Sequence, residues 1–332
     1  MRSYTFRNVH QAIPYMLDRI VEEGVERETR NGPVLMFDSP VTTRYLKPRE
    51  RVVFWPQRDA NPFFHLMESL WMLSGRNDLA FVRQFISNFE MFSDDGETLY
   101  GAYGYRWRRF FGMDQLRVIA TALKENPDCR RQVLQMWDAA MDLDKPGAKD
   151  LPCNTHIYFQ RGGYGQLNMM VCCRSNDLLW GAYGANAVHF SMLQEYMAAQ
   201  IGCDIGEYWQ MSFNLHVDQS VLENSKILEL VQFAPQERGR SDRYDLSACG
   251  DVSPMALVSS DSWDEECKMF VETNGGVIGM RDRFFRKVAV PAMRAHIAHR
   301  EKRHSDAFCE ADSIEALDWR RACLEWLERR AS

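Results

Sequence analysis

Cys153 sits directly after Pro152, and downstream of it an apolar segment, Leu167 to Cys173, ends in the compact polar cluster Arg174-Ser175-Asn176-Asp177. A thiolate is a strong nucleophile where cationic neighbours lower its pKa, and arginine forks match phosphate oxygens bidentately. The arrangement suits a thiolate held beside a phosphate-binding site, and so chemistry on a nucleotide base. Free cysteines are commonly buried and inert, so spacing alone does not make Cys153 a nucleophile. Glu68 is the second candidate. It lies on the apolar helix face formed by Phe64, Met67, Leu70 and Trp71. Desolvation there raises a carboxyl pKa into the range useful for proton transfer, the alternative being an edge carboxylate paired with an arginine. Further arginines stand in a turn at Arg30 and as the pair Arg130-Arg131. Asp177 and Asn186 flank Trp180-Gly181-Ala182-Tyr183-Gly184. Carboxylates and amides read heterocycle edges by paired hydrogen bonds, although Asn186 is also well placed to cap a helix starting at Ala187. Asn214 and His216 precede Asp218-Gln219. No spacing of His, Cys and Asp matches a metal site, and there is no GxGxxG or P-loop.

The elements that must position these residues follow from periodicity and breakers. Ser3 to Glu28 reads as one amphipathic helix, and Glu28 to Pro33 as a turn. A helix starts at Asn61-Pro62, with proline in its first turn, and runs to about Ser74-Gly75. Asp94-Asp95-Gly96 and Tyr100 to Gly104 read as loops, Leu116 to Lys124 as a helix and Arg131 to Trp137 as a strand. Ile157–Gln160 and Leu167–Cys173 read as strands joined by Arg161-Gly162-Gly163-Tyr164-Gly165, the second buried on both faces. Ala187 to Ile201 is an apolar, central helix; Gln236 to Ser262 is polar and irregular; Pro291 to Arg330 is charged and helical. Strands and helices do not alternate regularly, which gives an α+β class.

The chain has 332 residues, 45% hydrophobic and 26% charged, enough for a sizeable core. With no internal repeat or linker, one domain over 1–332 is expected, with a core of about 30–219 and a helical extension of about 291–330. The net charge of −6 argues against broad binding to a nucleic-acid backbone, so no nucleic-acid partner is expected. A small anion held by a local arginine cluster remains compatible with it. The nine cysteines include no CxxC pair, Met1 to Ile20 does not read as a secretory leader, and no apolar run spans a membrane. A reduced, cytoplasmic setting is expected, which is a host's cytoplasm if the source is viral.

In order along the chain, the Arg30 turn, Met67-Glu68-Ser69-Leu70-Trp71, Tyr103-Gly104 leading to Trp107, Arg130-Arg131 and Pro152-Cys153 resemble the thymidylate synthase family. So do Arg174 to Asp177, Gly181 to Asn186 and Asn214-Leu215-His216 before Asp218-Gln219. That family includes the deoxynucleotide hydroxymethylases. The resemblance runs from about Arg30 to Gln219. It implies a thymidylate-synthase-like fold, with a large mixed β-sheet flanked by helices. It also implies a homodimer whose sheets pack back to back, with arginines shared across the interface. The substrates it implies are a pyrimidine nucleoside monophosphate and 5,10-methylenetetrahydrofolate, with no metal. By the same resemblance Arg30, Arg174 and Ser175 hold the 5′-phosphate, with Arg130 and Arg131 of the partner subunit. Cys153 attacks C6, Tyr103 and Glu68 organise water and proton transfers, and Asp177 contacts the pterin. Asn186 reads the base edge, and Asn214 with His216 faces the sugar.

The departures from the family bear on the product. Phe89 stands where synthases place a tryptophan that shields the exocyclic methylene intermediate, and Phe92 stands near a second tryptophan. Asn154 follows the cysteine where synthases usually carry histidine, and Glu328-Arg329-Arg330-Ala331-Ser332 is unlike their apolar closing tail. Together these imply that water rather than hydride captures the intermediate. Asparagine at 186, where cytosine enzymes of the family tend to place aspartate, favours uracil. The expected reaction is hydroxymethylation of dUMP. The alternatives are thymidylate synthesis, hydroxymethylation of dCMP or CMP, and a noncatalytic nucleotide- or RNA-binding role.

Overall fold

The computed structural model describes residues 1–145, 147–233, 242–244, 252–258, 260–276 and 279–331. The chain opens with β1 (Arg2–Phe6), α1 (Val9–Glu23), the hairpin β2 (Val25–Thr29) and β3 (Gly32–Met36), and β4 (Val41–Tyr45). Then come α2 (Pro62–Leu73), the short α3 (Leu79–Val82) and α4 (Tyr103–Tyr105), α5 (Gln115–Glu125), β5 (Val133–Gln135) and the short α6 (Ala139–Asp142). The middle of the chain gives β6 (Asn154–Arg161), β7 (Leu167–Cys173), β8 (Asn176–Asp177), α7 (Asn186–Ile201), β9 (Ile205–Ser212) and β10 (Leu215–Asp218). After the short α8 (Gln219–Leu222) and α9 (Ser225–Leu228) come α10 (Trp263–Glu272), α11 (Val290–Arg300), α12 (His304–Asp312) and α13 (Leu317–Ala331).

Local chemistry explains the boundaries, including those that differ from the sequence reading. Ser3 to Glu28 is not one helix. Arg2–Phe6 alternates in exposure and pairs in parallel with β4, Asn8 caps α1 by accepting from the Gln11 amide, and Gly24 ends it. Glu28 to Pro33 spans a hairpin, with Arg30-Asn31 as its turn. The strand read over Arg131 to Trp137 shrinks to three residues. Beyond Gln135 the Met136 and Trp137 amides both donate to the Thr155 carbonyl, at 2.9 and 3.0 Å, and so leave the ladder. The loop read over Tyr100 to Gly104 turns helical at Tyr103 and widens over Arg106–Phe110. There the fully buried Arg106 is forked onto Asp142 at 2.8 and 2.9 Å. Most of Gln236 to Ser262 lies outside the described residues.

Six strands form a mixed sheet in the order β1-β4-β9-β7-β6-β5, and four form a second sheet in the order β2-β3-β10-β8. The architecture is thus α+β, with a large mixed sheet flanked by helices. Helix α7 is buried along nearly its whole length against this sheet, so it shows no polar stripe. Each Leu, Phe or Met it buries contributes about 1.5–3 kcal/mol. Helix α2 packs on α7, and α11 and α13 pack on α2. The Phe63 ring of α2 meets Trp326 and His296 at 5.4 Å each, so the C-terminal helices extend one continuous core. On the face of the large sheet opposite α7, cross-strand neighbours form the row Val133, Tyr158, Met170, Trp209 and Arg44. Val133 and Tyr158 are exposed, and the others half-buried. Among the described residues no helix is long and apolar enough to cross a membrane.

Candidate active site

A β-bulge between Asn154 and His156 opens β6 and turns Cys153 out of the strand ladder. The Arg174 amide donates to the Cys153 carbonyl at 2.9 Å. The Arg174 guanidinium is clamped beneath the same turn, with Nε donating to the Pro152 carbonyl at 3.0 Å and Nη2 to Leu151 at 3.1 Å. Nη2 then stands 3.8 Å from the Cys153 Sγ. Arg30 reaches across to the Ala148 carbonyl at 3.3 Å. The expected lowering of the thiol pKa is not what the site gives. Burial pushes the Cys153 thiol up, Arg174 and Arg30 pull it down, Asp150 adds to the rise, and burial prevails. Cys153 therefore rests as a thiol.

Glu68, Tyr103, Asp150, Asn186 and His189 line an open cleft together with the rings of Trp71, Phe89 and Phe92. Burial alone raises the Glu68 carboxyl to about 8, as its apolar helix face leads one to expect. Its Oε2 lies 3.2 Å from Nε2 of His189, which burial lowers to about 3. The pair is therefore uncharged at neutral pH. Nε2 has no hydrogen-bond partner among the described residues. The His65 ring stands edge-on behind His189, at 6.3 Å. Tyr103 is delivered by a turn pressed against α2, where a Cβ on Gly104 would fall 1.9 Å from the Met72 carbonyl oxygen. Its phenol is raised well above the usual tyrosine range by burial and then by Cys153, while the Asn154 side chain beside it offsets part of that.

Three segments are stitched together behind Cys153. The Phe213 amide donates to the Cys173 carbonyl at 2.9 Å, Asn176 to Asn214 at 2.9 Å, and the Asn214 Nδ2 to the Arg174 carbonyl at 3.0 Å. Asn186 does not cap α7. Its Nδ2 donates to the Asn176 Oδ1 at 3.0 Å, and the Asn176 Nδ2 donates to the Ser212 Oγ at 3.2 Å. These bonds tether the Asn186 amide to Asn176 at the start of β8. Gly181 is required there, because a Cβ would meet the Asn176 Oδ1 at 2.3 Å. Asp177 accepts from the Trp180 amide and pairs in register with His216, whose Nδ1 lies 3.4 Å from the Asn214 carbonyl. Burial raises the Asp177 carboxyl, against the pull of Trp180, His216 and Arg58.

The structure thus places Glu68, Tyr103, Asn186 and Phe89 in the cleft, and Cys153, Arg174, Arg30, Asn214, Asp177 and His216 around the adjoining turn, with Ser175 next to Arg174 in the chain. Arg130 and Arg131 are not part of it. Both are exposed before the edge strand β5, and no side-chain hydrogen bond or ion pair joins them to the cluster among the described residues. Sequence reasoning missed His189, although its place one helical turn after Asn186 was a usable signal. It also missed Asp150, which accepts from the Gly101 amide at 2.8 Å. Arg58 was missed as well; its guanidinium stacks 3.9 Å over the Trp180 ring, and burial lowers it to about 10. No local pattern marks either of these two. The chain's charged end is helical, and Arg329 and Arg330 pair with Asp59 at 3.0 and 2.7 Å.

The family model described as thymidylate synthase matches residues 13–237. A deoxyuridylate hydroxymethyltransferase of Pseudomonas phage M6 is 51% identical over 336 aligned residues, 99% of this chain and 95% of that protein. A deoxyuridylate hydroxymethyltransferase of Bacillus phage SP01 is 36% identical over 64% of this chain and 58% of its own length. A thymidylate synthase of Corynebacterium aurimucosum is 27% identical over 64% of this chain and 80% of its own length.

Proposed function

The chain belongs to the thymidylate synthase family, and from that premise we propose that it makes 5-hydroxymethyl-dUMP from dUMP and methylenetetrahydrofolate. Folate is a consumed substrate here, and when bound it supplies the one-carbon unit. The residues present suit it, since Trp71, Phe89 and Phe92 offer flat aromatic surface beside the buried Glu68. Cys153 adds to C6 of the pyrimidine and makes C5 nucleophilic. Arg174, already 3.8 Å from the sulfur, stabilises the thiolate as it forms and, with Ser175 and Arg30, holds the 5′-phosphate. Glu68, protonated at rest, moves a proton at the leaving amine, with Tyr103 ordering water nearby. Asp177 faces the pterin, and Asn214 with His216 faces the sugar.

The observation that carries the reading is a cysteine–arginine turn set beside Tyr103 and Asp150 of a cleft that also holds a neutral buried glutamate and the Asn186 amide. Uracil presents a donor at N3 and an acceptor at O4, and cytosine the reverse. Asn186, tethered to Asn176 in the cleft, would accept from N3–H and donate to O4, and asparagine at this place favours uracil. Phe89, where synthases place a tryptophan, and the pairing of Arg329 and Arg330 with Asp59 favour capture by water. Mass spectrometry of the product formed from methylenetetrahydrofolate and a mixture of dUMP, dCMP and CMP tests all of this at once. Hydroxymethyl-dUMP is expected. A methyl product would make the chemistry that of a synthase, and a cytosine product would overturn the role of Asn186.

The assembly we propose is a homodimer. The uncovered row Tyr158, Met170 and Trp209 supplies a largely apolar sheet face, and the exposed Arg130 and Arg131 lie beside its edge strand. Packing two such faces back to back carries that pair of arginines toward the phosphate site of the other subunit.

A further inference from the structure

We propose that the imidazole of His189 is the group that seats and deprotonates the water which adds to the methylene carbon. This rests on the hydroxymethylation reading above. His189 projects from α7 one turn after Asn186 and lines the same cleft. It is only 4% exposed, yet its Nε2 has no hydrogen-bond partner among the described residues. A buried ring nitrogen left unpaired is unfavourable, so it is better explained by a ligand or water that it receives during turnover. Its neighbour at 3.2 Å is the Glu68 carboxyl, the other proton-moving group of the cleft. His65 stands edge-on to the ring, which fixes its plane from behind.

The sequence of charges makes the geometry productive. At rest both groups are neutral, and the imidazole is a poor base. Once C5 has lost its proton to water, its electron pair has formed the C=C bond and Glu68 has given its own proton to the departing amine, a carboxylate stands beside Nε2 and stabilises an imidazolium. The imidazole thus gains basicity when the methylene carbon is ready for attack. Water oxygen bonds to that carbon, the C=C electron pair moves onto the C4 oxygen, and the water proton passes to Nε2. The enolate then re-forms the carbonyl and the C5=C6 bond, the C6–S bond breaks, and Cys153 leaves as thiolate. The imidazolium returns its proton to Glu68, restoring the resting pair.

The test is a single-turnover comparison of wild type with His189→Gln and His189→Asn, using dUMP tritiated at C5, methylenetetrahydrofolate and an added small thiol. Tritium release reports every step up to condensation at C5; the nucleotide product reports capture. Both variants are expected to release tritium at the wild-type amplitude, to lose about 100-fold in hydroxymethyl product, and to divert the intermediate to a thioether with the added thiol. Hydroxymethyl product at the wild-type rate in either variant would overturn the inference. So would tritium release and product falling together in both, which is what a merely structural histidine gives. If wild type itself makes methyl product, the hydroxymethylation reading fails and this inference with it; if only the variants disappoint, that reading stands.

Discussion

Burial sets the charge state of Glu68, and the same burial makes stability depend on pH in a direction that can be measured. The folded carboxyl titrates near 8 and the free side chain near 4.5. Between those values the folded state holds a proton that the unfolded chain has lost. Unfolding is therefore favoured by about 1.4 kcal/mol for each pH unit of rise through that window, an upper bound of a few kcal/mol in all. Glu68→Gln removes the term. Its unfolding free energy relative to wild type should rise steadily from pH 5 to pH 8 in denaturant titrations; a constant gap would mean that Glu68 is not desolvated. His189 acts oppositely, losing stability as pH falls below 6.5. In turnover, Glu68→Gln should bind dUMP normally by calorimetry and slow the reaction at least 100-fold, since it carries no proton to give. Cys153→Ala should likewise retain nucleotide binding and yield no covalent adduct on denaturing mass spectrometry.

At the scale of elements, the site depends on how closely a turn can approach a helix. The Gly104 Cα lies so near the Met72 carbonyl that an added Cβ would overlap it at 1.9 Å, and that oxygen is backbone that cannot rotate away. Gly104→Ala should therefore cost about 1–3 kcal/mol in stability and lift Tyr103 off α2, with a larger loss in turnover than in Tm. An alanine variant with unchanged turnover would show that the Tyr103 turn need not touch α2. This approach is the kind of feature a sequence hides. Helix α2 was legible because Asn61-Pro62 is a local start signal and its apolar face repeats at helical spacing; β6 and β7 were legible from apolar runs around a glycine turn. β1 was not, because five residues paired in parallel with a distant strand carry too little alternation to outweigh the helix beside them. Within the site, Cys153 and Glu68 were legible from their own neighbourhoods. The Asn186–Asn176–Ser212 chain and the Glu68–His189 pair were not, since each is made by segments that meet only after α7 lies against the sheet. The thiol of Cys153 was misjudged for a related reason. Counting nearby arginines says nothing of how far burial opposes them.

At the scale of the whole molecule, the core accounts for one face of the large sheet and, among the described residues, leaves the other without a covering helix. Helices α7, α2, α11 and α13 stack in turn behind the inner face, continuing one core out to Trp326. On the outer face, Tyr158→Asp would place a charge in the row between Val133 and Met170. It should convert a dimer to a monomer by light scattering while leaving the fold intact, because Tyr158 is already 46% exposed in the single chain. The same monomer should be inactive if each phosphate site needs Arg130 and Arg131 of the partner subunit. A mixing experiment separates that from simple loss of packing. A Cys153→Ala chain keeps its arginines but lacks the nucleophile; an Arg130→Ala/Arg131→Ala chain keeps the nucleophile but lacks the arginines. Each is inactive as a homodimer. In a heterodimer, one site pairs an intact Cys153 with intact arginines from across the interface, and the other has neither. Equal mixing with free exchange gives half heterodimers, hence roughly a quarter of wild-type sites working, from two inactive preparations. Were Arg130 and Arg131 to act within their own chain, every site in every mixture would lack one component, and no activity would return.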